Sequence, residues 1–407
     1  MSCSQAPNSE IAEFQGLYGA FHVSELLLQK IWLRRQFDER RACTTAGERV
    51  EVKFPGSWNR LGGPDFRGAR LVLGGREVTG DVEVHFDRTG WRQHGHDRDP
   101  AYAQVVLHVV LFPPRSDAAP AVTSDGREVP TLVLLDLLWH DLEEYAQDEA
   151  VAALSGRDPT PLVEELLGLG VDERRARIRR AMEERWAEKT RFARLRIERL
   201  GWEDACHHSA LEILGYRRNR APMLQVAGAH SLASFRETAA VDAAYASVPA
   251  ERWSTAGVRP ANHPRRRLEQ YGAWVAAVPD WPMRLRDWHL SSPAEAESDV
   301  AGERRRLRIA AVRDGFAERL FGGACGASRA HTLAIDLALP YLAVASGIPG
   351  TCFRYWAAWY PGDMPDNLVA AARQILPRDP GNPLANGVLQ GLLRLMLLGA
   401  ARDVRAD

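Results

Sequence analysis

Along the first third of the chain apolar and polar residues alternate in short runs, and beyond it they fall into helical spacing. Residues 24–37, SELLLQKIWLRRQF, set a Ser suited to capping ahead of a dense apolar stripe, which predicts a helix. VEVKF at 50–54 alternates with period two; ARLVLGG at 69–75 ends in a Gly-Gly turn that leads into EVTGDVEVHF at 77–86. Together these predict a meander with a hairpin. After Gln104, QVVLHVVLF at 104–112 is apolar except for His108 and is stopped by Pro113 and Pro114, as expected of a central strand covered on both faces. TLVLLDLL at 131–138 predicts one more strand, and the acidic WHDLEEYAQDEAVAAL after it a helix. From RDPTPLVEELL onward the spacing is helical, interrupted by Pro and Gly loops near 221, 257–264, 277–293, 348–350 and 377–388. The pattern divides into a mixed α/β domain over 1–157 and a mostly α-helical domain over 158–407.

Side chains two apart in a strand share a face, so Asp81, Glu83 and His85 are expected on one surface and Val82, Val84 and Phe86 on the other. Upstream, Asp65 in GGPDF stands where the hairpin begins, and the turn can bring its carboxylate to that of Glu83. Paired carboxylates on one face suit a hard divalent cation, Mg²⁺ or Mn²⁺, which takes oxygen ligands. They equally suit a partly solvated sheet face held by salt bridges.

The order of a helix, a strand, a hairpin carrying P-D and E-x-(basic), a helix and a central strand resembles the PD-(D/E)XK nuclease superfamily. Here the motif reads Pro64-Asp65, a gap of seventeen residues, then Glu83-Val84-His85. The resemblance implies a restriction-endonuclease-like fold, metal ligation by Asp65 and Glu83, and His85 in the place of the superfamily's lysine. Glu25 in the first helix would be an accessory acid, and Lys53 a migrated ammonium. Neighbouring carboxylates are expected to raise the pKa of His85. His85, His94, His96 and His108 lie close together in the chain, with Trp91, Asp97, Asp99 and Tyr102 among them. His94, His96 and Asp99 offer a second, transition-metal site. Asp99 before Pro100 is alternatively a helix cap, and His108 a hydrogen-bonded core histidine.

Taken together, SELLLQKIW, PGSWNRLGGPDF, GDVEVH, HGHDRDPAY, VVLHVV, LGYRRNRAPM, GVRPANHPRRRL and NPLANGVLQGLL resemble domain of unknown function 2851, an uncharacterised bacterial family. That likeness names relatives and no chemistry.

Composition narrows the picture. A net charge of −1 excludes a uniformly basic nucleic-acid coat, while 45% hydrophobic residues exclude wholesale disorder. Lys30, Lys53 and Lys189 are the only lysines, so basic surface must come from arginine. The five scattered cysteines form no paired spacing, which fits a reducing cytoplasm. MSCSQAPNSEIAEF has no signal-peptide core. The apolar run 384–401 contains Asn386, Gln390 and Arg394 and reads as a buried helix, with no membrane partner. GYRRNRAPM (215–223) and GVRPANHPRRRLEQ (257–270) are expected as loops beside helix starts. There Arg217, Arg218, Arg220, Arg259, Arg265, Arg266 and Arg267 could contact phosphates, or form a solvated, salt-bridged rim. The helix 172–200 interleaves acids and bases and is expected to pair with itself. The leading expectation is a metal-dependent phosphodiesterase whose helical half grips DNA or RNA, with a homodimer allowed for. The alternatives are an inactive nuclease fold that binds nucleic acid or serves as a scaffold, and a hydrolase built on His94, His96 and Asp99.

Overall fold

A computed structural model of the chain describes residues 13–14, 23–115, 119–237, 240–297, 299–376 and 383–403. The expectation for the extreme N-terminal segment lies almost wholly outside the described residues. Two compact units result, Met1–Glu149 and Ala150–Asp407.

The first unit is a mixed sheet packed against a helix. Helix α1 (Glu25–Arg34) starts at Ser24, whose hydroxyl accepts from the Leu27 N–H, and stops at Arg35 in the left-handed region, φ 53°. Its buried face carries Leu28, Ile31 and Trp32, and the indole donates to the Pro55 carbonyl at 3.0 Å. Burying each of these side chains contributes about 1.5–3 kcal/mol to docking the helix. Strand β1 (Val50–Phe54), β2 (Phe66–Leu73) and β3 (Arg76–His85) form the antiparallel meander. After a helical turn, α2 (Gly90–Gln93), the chain returns as β4 (Val105–Val110), parallel to β3. β5 (Thr131–Val133) lies parallel to β4. The order across the sheet is β1-β2-β3-β4-β5, and the short strand Ser57–Trp58 pairs with the start of β2.

One expectation changes here. The strand predicted over 131–138 ends at Val133 and becomes a 3₁₀ turn at Leu135–Leu137. Its partner β4 stops at Val110, and Pro113 and Pro114 supply no further donors. Alternation along β3 keeps Asp81 on the face of Glu83 and His85, because the register shift lies in β4, where Val105 and Leu107 pair with Asp81 and Val82; the Asp81 carboxylate is used by the Gly68 N–H, which it accepts at 3.0 Å.

The second unit is helical. Its longest elements are α3 (Val171–Leu200), α4 (Trp202–Ala229), α5 (Pro264–Ala277) and α6 (Asn386–Asp403). α3 pairs within itself through Arg185 and Glu188, yet Lys189 reaches Asp336 and Arg196 reaches Glu212 on other elements. In α6 Leu389, Leu392 and Leu397 are buried, and the Asn386 amide donates to the Trp356 carbonyl at 3.0 Å. Arg394 pairs with Glu184 and Glu188. Among the described residues, no helix is long and apolar enough to cross a membrane.

Candidate metal centre

Three acids from three elements meet at the end of the hairpin. Glu25 opens α1, Asp65 precedes β2 and Glu83 lies near the end of β3. The two sheet acids are clamped to each other's backbone: the Asp65 N–H donates to Glu83 Oε2 at 2.9 Å, and the Val84 N–H to Asp65 Oδ2 at 3.0 Å. Glu25 Oε1 accepts the Phe86 N–H at 3.2 Å. One turn along α1, Gln29 donates to Asp65 Oδ1 at 2.6 Å, while its own amide oxygen accepts from the Trp58 indole at 3.0 Å. Trp58 thereby fixes which end of the Gln29 amide faces the acid. Among the described residues no lysine or arginine pairs with these carboxylates, and their only ion-pair partners are histidines.

Those histidines crowd the other oxygen of Glu83. Glu83 Oε1 is 3.1 Å from His96 Nε2 and 3.5 Å from His85 Nε2. His85 Nε2 also lies 3.1 Å from His94 Nδ1, and His85 Nδ1 is hydrogen-bonded to His108 Nε2 at 2.8 Å. Parallel pairing of β3 and β4 sets Glu83 beside His108, which is how two residues distant in sequence enter one cluster. Gly95, at φ 76°, makes the reversal that turns His94 and His96 toward the same point, a backbone state that costs other residues strain. The His96 ring stacks on Tyr102 with centroids 3.7 Å apart.

Gly90 closes the cluster from the side. A Cβ there would sit 2.9 Å from His85 Cγ, a ring that is 1% exposed and has nowhere to move. Gly90→Ala is therefore expected to destabilise the protein by about 1–3 kcal/mol, the usual cost of overpacking, read from the urea midpoint.

The electrostatics follow from burial. Withdrawal from water pushes Glu25 up to about 7, against the Phe86 N–H that favours its charged form. Asp65 is raised by burial and then by the charge of Glu83. Glu83 is raised by burial, against the Asp65 N–H, with the Glu25 charge adding to the rise. His85 moves opposite to the expectation from its acidic neighbours. Burial, followed by the charges of His108, His96 and His94, holds it well below 6.5. Burial likewise lowers His96 to about 4 and His108 to about 3.

Other expected site residues are used elsewhere. Lys53 bonds Glu51 at 2.6 Å on the half-exposed strand β1, so its ammonium is not with the acids. Asp99 caps a 3₁₀ turn by accepting the Ala101 N–H at 2.9 Å, and His85 takes its expected place beside His94 and His96. His108 is buried and bonded at Nε2, but its Nδ1 has no partner. GYRRNRAPM is where α4 breaks into two helical stretches: Tyr216 and Asn219 leave helical geometry, and Pro222, which has no N–H to donate, follows the break. The side chain of Arg217 lies outside the described residues. Arg220 pairs with Glu212, Arg265 with Asp242 and Glu269, and Arg266 with Glu269. Arg267 is buried against Asn262 and Gln270, whereas Arg218 and Arg259 are exposed. Gln29 and Trp58 were not anticipated; the one sequence signal for Gln29 is its place four residues after Glu25, on the same helix face.

The family model described as Protein of unknown function (DUF2851) matches residues 25–244, more than half of the chain. The match takes in every acid and histidine of the cluster, while the segment 257–270 and α6 lie beyond it. No curated protein and no solved structure matches the chain.

Proposed function

We propose that this chain, which belongs to the DUF2851 family of proteins of unknown function, hydrolyses phosphodiester bonds of DNA or RNA at Glu25, Asp65 and Glu83. The observation that carries the reading is three converging, buried or partly buried carboxylates whose pKa values are raised and which pair with no lysine or arginine among the described residues. Such a set is costly without positive charge and suits Mg²⁺ or Mn²⁺. When bound, the ion would supply Lewis acidity and lower the pKa of water. Gln29 and the Val84 N–H orient Asp65, the Asp65 N–H orients Glu83, and the Phe86 N–H orients Glu25.

The element order supports a restriction-endonuclease-like reading. A helix precedes an antiparallel meander, a helical turn crosses over to a parallel strand, and the acids stand before the second strand and late in the third. His85 holds the position of the superfamily's lysine but is uncharged near neutral pH, so in this reading it positions water or Glu83 and does not act as a fixed cation. The exposed Arg218 and Arg259 are available to phosphates.

The test is hydrolysis of single-stranded DNA, double-stranded DNA and RNA with Mn²⁺. Wild type is expected to exceed Asp65→Asn and Glu25→Gln by at least about 10²-fold. Equal rates in all three proteins overturn the reading. Salt-sensitive binding without turnover would replace it with a nucleic-acid-binding role.

A further inference from the structure

The proposed hydrolysis uses one side of Glu83 and leaves unexplained the imidazoles gathered at the other. We infer that His85, His94 and His96 form a nitrogen-donor site for a transition metal ion of the zinc(II) class, with Glu83 as its buried counter-charge. This site stands on its own geometry and does not depend on phosphodiester hydrolysis.

The three ligand atoms lie within 4.8 Å of one another, and His85 Nε2 and His94 Nδ1 are 3.1 Å apart. Two imidazoles bound at about 2.0–2.1 Å in tetrahedral geometry hold their nitrogens about 3.3 Å apart. His85 and His94 are thus spaced for one ion, and His96 completes the set by moving closer to them. His96 Nε2 is buried and makes no well-aligned hydrogen bond, although Glu83 Oε1 lies 3.1 Å away. A buried polar atom in that state costs free energy unless another interaction takes its lone pair, which a metal ion does.

The surroundings fix the rings as ligands require. His108 occupies the far nitrogen of His85, leaving Nε2 to face the other two histidines. Tyr102 stacks on His96 and holds its plane. His94 is exposed, so an ion has a path in from solvent. Glu83 Oε1, beside His96 and His85, brings a negative charge to a site whose three ligands are neutral. Imidazole nitrogen favours zinc, iron or copper over magnesium, which separates this site from the all-oxygen one. Three histidines with a fourth position open is the ligand count of a catalytic zinc centre.

The experiment is calorimetric titration of chelator-stripped full-length protein with Zn²⁺, supported by the visible spectrum of the Co²⁺-loaded protein and elemental analysis of protein as purified. The expected result is about one equivalent bound per chain, with a tetrahedral Co²⁺ spectrum. His94→Ala, at an exposed position, and His96→Gln should each weaken Zn²⁺ binding by at least about 10-fold. Asp99→Ala should leave it unchanged. Absence of binding by both Zn²⁺ and Co²⁺, or affinity indifferent to His94→Ala, overturns the inference. Because the readout is metal binding, it can succeed while the nuclease assays fail, or fail while they succeed.

Discussion

Metal-free Glu83→Gln protein is expected to be more stable than wild type at pH 8 and, with Mn²⁺, to hydrolyse nucleic acid at least about 10³-fold more slowly. Glu83 is the one side chain that faces both halves of the cluster. Oε2 accepts the Asp65 N–H, and Oε1 approaches His96 and His85. Its charge is opposed by burial and by Glu25, and it opposes the charge of Asp65 in turn. A glutamine keeps the shape and an oxygen for the Asp65 N–H while removing the charge. The apoprotein should then gain more than about 1 kcal/mol at pH 8, measured by urea denaturation. The same change removes a metal ligand and the counter-charge of the histidine site, so Zn²⁺ affinity should fall as well. A stabilised but inactive variant is the signature of a site that stores unfavourable charge for function. An inactive variant that is also less stable than wild type would instead make Glu83 a structural hydrogen-bond acceptor.

Metal-free wild type is expected to lose stability as pH rises from about 6.5 to 8, and Mn²⁺ to abolish that loss. The acids have folded pKa values raised above their unfolded ones, Glu25 from 4.5 to about 7, so the native state holds protons the unfolded chain has already released. Stability then falls with rising pH, by up to about 1.4 kcal/mol per pH unit for each such group. His96 and His108 work in the other direction. Their folded values lie near 4 and 3 against 6.5, so their contribution is full above 6.5 and is lost as pH falls below it. Between 4.5 and 6.5 the two effects oppose each other, and above 6.5 only the acids still titrate. A divalent ion stabilises the charged carboxylates and lowers their folded pKa, which flattens the upper limb. Thermal melts across this range with and without Mn²⁺ measure the effect. A pH-independent melting temperature above 6.5 in chelator would contradict it.

Much of this was legible in the sequence because it is local. Ser24 before an apolar stripe specified the start of α1, and period-two alternation placed β1, β2 and β3 close to where they lie. The hairpin turn then obliged Asp65 and Glu83 to meet, since antiparallel pairing returns the chain to its starting edge. Membership of an uncharacterised family could be read from motifs, but supplied no chemistry.

Tertiary structure decided which polar groups share a point. His85 joined His94 and His96 in place of Asp99 because a left-handed Gly95 turns the loop back, while Asp99 is held by the nearest free N–H. His108 reached His85 only through parallel pairing across a crossover, which no local spacing encodes. The pKa of His85 went down because desolvation, set by packing from all sides, outweighs the two acids that sequence proximity brings to mind. Three of the seven anticipated phosphate-binding arginines, Arg220, Arg265 and Arg266, pair with carboxylates, among them Glu212 and Glu269. Periodicity and turn residues act over a few positions and are written in the chain, whereas burial and charge pairing depend on every element that packs around a residue.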